Sequence, residues 1–430
     1  MGRFILLILL SLGGVLSTGP LFAQSPAVPI SRRAPIAAMP KRVMTLAQIS
    51  GMATHNHPAV QQARRQAEAL RGEWIQAGLR SNPSLGYEAE EMTEGSAGRH
   101  GVTFTQPITP QYKRTARQAT IDREYQAALQ LYHIQHQKVM NDALLAAYRV
   151  AFASRKCLIL EELTHLSQEA LKAGNELLKA QEINRASFLD MKIKSEQTQI
   201  ALRDAEIAHR TACRELAILL ALPERELTEI SDSLNILPPE LDEMTLLAEI
   251  QRFSPELRQA RAEVETAKMR VRQQHAESGI DYDTNAKIAY NTESKQSEFT
   301  LGVAVPIRLF DRNQGNIQRA KSELAASQRN VERLERLLAQ KFERQLGEYQ
   351  MARNRVVSYK EILADAREAL DLAFAAYRHG EYGSHELLEA QLTLSAVQLE
   401  YLDNMNALME SHVLLRGSFL TGGLEKPRVE

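Results

Sequence analysis

The chain has 430 residues and a formal net charge of -1, and 24% of its residues are charged while 6% are aromatic. This balance excludes a polytopic helical membrane protein, which needs long uncharged stretches, and a nucleic-acid-binding protein, which needs a basic surplus. Low glycine and proline, with abundant Ala, Leu, Glu, Arg and Gln, is typical of long helices. Two cysteines supply neither a disulfide framework nor a zinc pattern.

The N-terminus has the features of an export signal. A single arginine precedes Phe4–Leu16, an apolar run that is too short to span a bilayer. Small residues follow, and cleavage is expected after Ala23, with Ala27 as the alternative. We therefore predict a signal peptide over residues 1–23 and an exported mature chain. Residues 24–43 are rich in proline and read as an extended leader.

The first half of the mature chain, residues 44–222, combines helices with one hairpin of strands. A helical pattern runs to about residue 80, and alternating apolar and polar residues then predict a β-hairpin over 83–108. Pro107 is expected to end the second strand because proline cannot donate to a sheet ladder. Residues 109–222 predict a helical hairpin whose first helix has about seventy residues, on the order of 100 Å, and whose second helix returns.

The same order of helices and strands repeats after a proline-containing connector, residues 223–250, which we predict to be irregular. The second half, residues 251–421, has a predicted β-hairpin over 280–307 and a helical hairpin over 311–421, followed by a tail over 422–430. The duplication is visible in Gln106-Pro107-Ile108, which returns as Val305-Pro306-Ile307. Each half is thus a short helix, a β-hairpin, a very long helix and a returning helix.

The predicted strands have dimensions suited to a membrane. Each keeps one apolar face over about eight to eleven residues, which is near the length that a tilted strand needs to cross a bilayer. Four strands cannot close a barrel, and an open edge in lipid leaves unpaired backbone groups costing several kcal/mol each. Strands that enter a membrane therefore require an oligomer. The alternative is a soluble antiparallel sheet with one wet face, but export and the duplication favour the barrel.

Two joints connect these strands to the long helices. At the second joint Pro306 ends the strand, and either Asp311 or Asn313 is expected to cap the helix that follows. The residues that define the two joints are Pro107, Pro306, Asp311, Arg312 and Gly315. They mark the level at which the chain is expected to leave the membrane.

Three motifs carry a family resemblance: Asn82-Pro83-Ser84-Leu85, Gln106-Pro107-Ile108 with Lys113-Arg114, and the stretch PIRLFDRNQG that begins at Pro306. They resemble the signatures of the TolC-like outer membrane factor family, in its heavy-metal cation efflux branch, over about residues 44–421. This resemblance implies a mainly α fold with a small β part. It also implies a homotrimer in which a twelve-stranded transmembrane β-barrel continues into a periplasmic α-helical barrel.

The resemblance further implies a function. Such proteins lie in outer membrane lipid and act as the exit duct of an inner membrane pump of the resistance-nodulation-division type, to which a periplasmic adaptor joins them. They are passive channels, so we expect neither an enzyme nor a cofactor. Two other readings of the residues stay open, a periplasmic adaptor and an exported coiled-coil scaffold, although two equivalent halves with four amphipathic strands argue against both.

The family resemblance places candidate residues near the turns between the long helices. Glu386 and Glu389 match positions where the family can place acidic residues around a closed periplasmic aperture, and Asp190 matches Glu389 in the first half. Tyr377 matches a tyrosine of the family's gating network. The turns at which an adaptor is expected to dock are Gln181, Glu182 and Ile183 in the first half and Gly380, Glu381 and Tyr382 in the second.

Three-fold symmetry would gather six glutamates, Glu386 and Glu389 from each of three copies, around one axis. Negative charges placed so close together attract cations. The alternative is that Glu386 and Glu389 are ordinary solvated residues of a helix. His133 and His136 have a spacing that could share a metal, but a packed or solvated pair explains them better, so we predict no metal site. No phosphate loop, nucleophile elbow or zinc-protease motif occurs, which argues against catalysis.

Overall fold

The computed structural model describes residues 42–91, 98–222, 228–230 and 237–425, which all belong to one unit, Lys41–Glu430. The predicted signal peptide over 1–23 lies outside the described residues. So do nearly all of the predicted leader and the end of the predicted tail.

The helices and strands occur in the same order twice. The first half contains β1 (Arg42–Met44), α1 (Leu46–Asn56), α2 (Pro58–Gly78), β2 (Ser84–Glu90), β3 (Arg99–Ile108), α3 (Gln111–Lys179) and α4 (Arg185–Leu219). The second half contains β4 (Thr228–Ile230), α5 (Glu243–Phe253), α6 (Pro255–Glu277), β5 (Tyr282–Asn291), β6 (Gln296–Ala304), α7 (Gln314–Arg378) and α8 (Ser384–Arg416). The predicted duplication is therefore confirmed.

The predicted connector contains a helix that the sequence pattern did not indicate. Helix α5 covers Glu243–Phe253, so the expectation of an irregular segment up to residue 250 is wrong. Leu246 and Ile250, one helical turn apart, are buried in a core with Phe342 and Leu408. Burying a side chain of this size is worth about 1.5–3 kcal/mol, which is enough to order a short helix after a proline-containing segment. Helix α5 is the counterpart of α1.

Four strands form one antiparallel sheet in the order β2-β3-β5-β6. Each hairpin pairs internally, and β3 pairs with β5 to join the two halves, which leaves β2 and β6 as the edges. Pro107 does not end its strand as expected, because it is still paired with Asp283 of β5. The pairing of β3 with β2 has already stopped at Thr105. Proline is tolerated there because only one neighbouring strand remains.

The long helices are flanked end to end by shorter ones. Helix α3, with 69 residues, packs against α2 and α4, with 21 and 35, while α7, with 65, packs against α6 and α8, with 23 and 33. Helix α3 also contacts α6 and α8, so the two halves share one helical body. At 1.5 Å per residue α3 is about 100 Å long. No helix in the described part of the chain has both the length and the apolar character needed to cross a bilayer.

The core lies along these helices in two main clusters. One joins α1 with α3 and α4 through Ile49, Val139 and Leu216, and the other joins α5, α7 and α8 through Phe342, Tyr349 and Met405. A small parallel pairing of β1 with β4 brings the start of the first half against the connector. These three-residue strands are too short to leave a periodic signal in the sequence.

Candidate functional site

One face of the four-stranded sheet consists of exposed apolar side chains. The register aligns Leu85, Phe104, Ala286 and Leu301 in one row across the sheet and Tyr87, Val102, Ile288 and Phe299 in the next. Leu85 and Leu301, at the two edges, are 75% and 71% exposed. Monomeric soluble proteins rarely leave a contiguous apolar patch of this kind, so the face requires a partner or a lipid.

The opposite face of the same sheet carries charges that are paired with one another. The Lys287 ammonium donates to Glu88 at 2.7 Å and to Glu90 at 2.6 Å, across two strands. Arg99 forms an ion pair with Glu298 of β6. The sheet therefore has one apolar face and one face with paired charges, the pattern of strands that separate lipid from a polar lumen.

The second joint, between β6 and α7, is built differently from the expectation. Strand β6 ends at Ala304, before Pro306 as predicted. Asn313 occupies the N-cap position of α7 but has a left-handed backbone, φ 62°, and its side chain makes no capping hydrogen bond. Its amide nitrogen Nδ2 instead donates to the carbonyl oxygen of Gln274 in α6, at 2.8 Å. Of the two expected caps, Asn313 is therefore wrong, because the tertiary contact with α6 takes its amide nitrogen.

The other predicted residues of this joint have local roles. The Asp311 carboxylate accepts from the backbone N–H of Asn313 at 2.8 Å, and the backbone N–H of Arg312 donates to the side chain of Gln314 at 2.8 Å. Gly315 lies in the first turn of α7, where an added Cβ would meet nothing within 4 Å. Space therefore does not require glycine at this position.

The first joint is tied to the second half by two ion pairs. Lys113 is fully buried, and its ammonium lies 2.7 Å from the Asp281 carboxylate, whose side chain is 47% exposed. Arg117 makes two hydrogen bonds to Glu277, at 2.5 and 2.9 Å. These four side chains connect the start of α3 with the end of α6 and the start of β5. Lys113 belongs to a sequence motif, but no pattern in the sequence identifies Asp281 as its partner.

The two turns between the long helices have the same backbone geometry. Gln181 and Gly380 both adopt the left-handed conformation, with φ 62° and 79°. The next residue donates back to the helix in each turn, Glu182 to the carbonyl of Leu177 at 2.9 Å and Glu381 to that of Ala376 at 3.0 Å. Ile183 and Tyr382 then occupy equivalent positions. Glycine adopts this conformation freely, whereas glutamine does not. The backbone of the first turn is therefore strained at Gln181, and that of the second turn is not strained at Gly380.

Close to these turns, carboxylates of two different helices meet on one lysine. The Lys194 ammonium lies 2.9 Å from Asp190 on α4 and also pairs with Glu389 on α8. The hydrogen bond from Lys194 is the main reason why the pKa of Asp190 lies below its ordinary value, with a smaller contribution from the charge of His385. The predicted residues Asp190 and Glu389 are thus brought together, by a lysine that was not among the predicted site residues. Lys194 lies four residues after Asp190 on one helix, and this spacing alone predicts an ion pair between the two.

The other two predicted aperture residues lie apart from this pair. The Glu386 carboxylate accepts from the backbone N–H of Gly383 at 2.9 Å, so it caps α8 and does not join Glu389. Tyr377 lines a cavity of about 440 Å³ together with Phe374, Leu387 and Leu388.

Possible metal ligands are also concentrated near the turns. Asp190, His385 and Glu389 offer ligand atoms that all lie within 4.8 Å of one another. In this arrangement Lys194 provides the positive charge, since its ammonium already contacts both carboxylates. His133 and His136 pack instead around Tyr132, with ring centroids 5.3 and 6.2 Å away.

A sheet with one lipid-compatible face and one charged face, continued by helical hairpins of about 100 Å, defines the class of channel subunits in which a membrane sheet passes into a helical tunnel. Residues 246–419 match the family described as outer membrane efflux protein. The chain is 21% identical over 360 residues to the cobalt-zinc-cadmium resistance protein CzcC of Cupriavidus metallidurans, covering 84% of this chain and 86% of the relative.

Two solved structures have the same fold. CusC matches with a TM-score of 0.69 and 18% identity over 93% of this chain and 99% of its own. The outer membrane protein VceC of Vibrio cholerae matches with a TM-score of 0.68 and 15% identity over 87% of this chain and 96% of its own. Residues 246–419 therefore form an outer membrane efflux protein domain, and the chain shares the fold of these two outer membrane proteins. Proteins of the outer membrane efflux protein family are passive channels and not enzymes.

Proposed function

We propose that three copies of this chain form the exit duct of a tripartite efflux system in the outer membrane of a Gram-negative-type cell. The observation that carries the proposal is the sheet, whose exposed face is apolar and whose charges are paired on the other face. Its two edges, β2 and β6, each have one side without a strand partner in the described part of the chain. Pairing β6 of one copy with β2 of the next closes twelve strands and removes every edge from lipid.

The dimensions support this arrangement. Strand β5 has 10 residues, and at about 3.3 Å per residue with a tilt near 40° it rises about 25 Å, the height of the apolar band of an outer membrane barrel. Helices α3 and α7 then extend about 100 Å further as the wall of a periplasmic tunnel. The duct conducts its substrates passively, from a resistance-nodulation-division pump and a periplasmic adaptor to the exterior.

The turns are the proposed docking surface for the adaptor. They lie at the ends of the two helical hairpins, where one partner protein can contact both. The residues are Gln181, Glu182 and Ile183 in the first turn and their counterparts Gly380, Glu381 and Tyr382 in the second. Matching hydrogen bonds in both turns give the two hairpins of each copy the same outline. Three copies therefore present six similar turns, a surface suited to a ring of adaptor hairpins.

The carboxylates above the turns are the proposed periplasmic aperture. Asp190, Glu386 and Glu389 each contribute one negative charge, and Lys194 offsets one of them. A ring of net negative charge in three copies attracts cations and holds the closed end of the tunnel against anions. Tyr377 lies beside the same helices and lines the adjoining cavity, where it can sense a movement of α7 against α8.

Divalent heavy-metal cations are the proposed substrates. The named resistance of the relative CzcC, to cobalt, zinc and cadmium, supports this choice, as does the negative charge of the proposed aperture. A strain lacking this chain should lose resistance to some of these cations and regain it with the plasmid-borne gene. If the deletion strain instead grows normally on a panel of metals but no longer grows on antibiotics, the substrates are not heavy-metal cations.

Membrane fractionation tests the proposed location, and planar bilayers test conduction. The full mature chain should be recovered from the outer membrane as a trimer and should conduct ions after reconstitution. Recovery from the soluble periplasmic fraction would contradict the duct and would favour an adaptor or an exported scaffold.

A further inference from the structure

The segment between β6 and α7 displays apolar side chains that no element of the described chain covers. Val305, Ile307, Leu309 and Phe310 are all exposed, with Ile307 at 81% and Phe310 at 87%. The first joint is shorter, since only two residues separate the end of β3 at Ile108 from the start of α3 at Gln111, and Ile108, the counterpart of Ile307, is 44% exposed. The duplicated fold alone does not explain why the apolar display is larger in the second half.

The segment continues the exposed apolar face of the sheet. Outward residues of β6 alternate as Phe299, Leu301 and Val303, and the same alternation runs on through Val305 and Ile307. The last paired residues are Asp283 and Ala304, so the register carried further sets Val305 beside Tyr282 and Ile307 beside Ile280. Tyr282 and Ile280 are themselves exposed apolar side chains.

Hydrogen bonds hold this segment in place. Arg308, which alternates to the opposite face, donates from Nη1 to the carbonyl oxygen of Glu277 at 2.9 Å. Gln314 donates from its side chain to the carbonyl oxygen of Phe310 at 3.1 Å. The backbone is thus tied to α6 and α7 on one side, and Ile307 is directed to the other.

The height of the membrane band explains why the segment should be apolar. The six residues from Phe299 to Ala304 rise only about 15 Å, at roughly 3.3 Å per residue and a tilt near 40°, against a band about 25 Å tall. The outward residue before Phe299 is Ser297, so the missing height lies at the helix end of the strand. Val305 through Phe310 supply it.

We propose that residues 305–310 insert into the periplasmic leaflet of the outer membrane and anchor the barrel there, with the exposed Arg312 at the level of the lipid phosphates. The inference rests on the proposed function, since it needs the sheet to lie in lipid. A second copy is a less suitable occupant, because a neighbouring strand pairs in the plane of the sheet while these side chains project from its face.

Tryptophan fluorescence tests the proposal with one reporter at a time. The chain has one tryptophan, Trp74, so Trp74→Phe gives a silent background. In that background Phe310→Trp, Leu301→Trp and Glu381→Trp place the reporter in the segment, on the sheet face and at the distant turn. Each trimer is reconstituted into phosphatidylcholine vesicles that carry bromine either near the carbonyls or near the ends of the acyl chains.

Emission from Phe310→Trp should be lost mainly with shallow bromines, that from Leu301→Trp with deep ones, and that from Glu381→Trp with neither. An unquenched Phe310→Trp beside a quenched Leu301→Trp overturns the anchor and leaves the duct intact. Blue-shifted emission in that case identifies a neighbouring copy as the cover. If Leu301→Trp also stays unquenched, the proposed function itself fails. Ile307→Trp repeats the measurement at a second position should Phe310→Trp fail to assemble.

Discussion

The ion pair between Lys113 and Asp281 should respond very differently to the loss of either partner. The Lys113 side chain is completely buried, whereas that of Asp281 is 47% exposed. Asp281→Asn leaves a buried ammonium without its counter-charge, and breaking a buried pair in this way costs about 3–5 kcal/mol of unfolding free energy. Lys113→Met keeps the side-chain volume and leaves a carboxylate that is buried at Oδ1 but whose side chain is 47% exposed as a whole, so its cost should be smaller, about 1 kcal/mol.

Guanidinium unfolding of the detergent-solubilised protein, followed by far-ultraviolet circular dichroism, measures both costs. The double variant should resemble Lys113→Met, because the buried charge that makes Asp281→Asn expensive is then absent. Arg65→Met is a matched control, since Arg65 is an exposed residue whose ion pair with Glu68 lies within one helix. Equal losses for Asp281→Asn and Lys113→Met would refute the reasoning, because they would mean that water reaches the ammonium as easily as the carboxylate.

Three further predictions concern the end of the tunnel near the turns. Gly380→Ala should lower the unfolding free energy by about 1 kcal/mol, because alanine is strained in the left-handed conformation, and Gln181→Gly should raise it by about as much, because it removes that strain. Thermal melts that shift in the same direction for both variants would contradict this. In planar bilayers, the double variant Glu386→Ala/Glu389→Ala should raise the single-channel conductance and weaken block by divalent cations. Lys194→Met, which removes a positive charge, should strengthen that block. An unchanged block in both variants would mean that these residues do not form the aperture. Because the pKa of Asp190 is lowered in the folded chain, chiefly by Lys194, its contribution to stability is present above the unfolded pKa and is lost as the pH falls through the folded value. Limited proteolysis at the turns should therefore accelerate on acidification, and Lys194→Met should remove that dependence; a variant that keeps the full acceleration would exclude Asp190 as its source.

The elements with strong local signals were predicted well. The strands β5 and β6 alternate cleanly, the long helices run without proline, and Gly380 marks a turn that the structure places at the same residue. The equivalence of Gln181 to Gly380 also holds, because both residues have positive φ. These features depend on neighbours in the chain, which periodicity and turn chemistry report directly.

The errors occurred where a tertiary contact overrode a local preference. Asn313 is a residue type that commonly caps helices, but its side chain donates to Gln274 on another helix. Helix α5 forms because Leu246 and Ile250 find a core supplied by α7 and α8. Pro107 stays in its strand because β2 has already ended beside it.

The sequence by itself determined the duplication, the lengths of the helices and the sheet with one apolar face, because each follows from spacing along the chain. Only the tertiary structure decided which distant charges meet. Lys194 joins Asp190 to Glu389, and Lys113 reaches Asp281, across helices whose contact faces no periodicity specifies. Those pairings depend on how the two halves rotate against each other when their cores pack, and that rotation is set by all the buried side chains together.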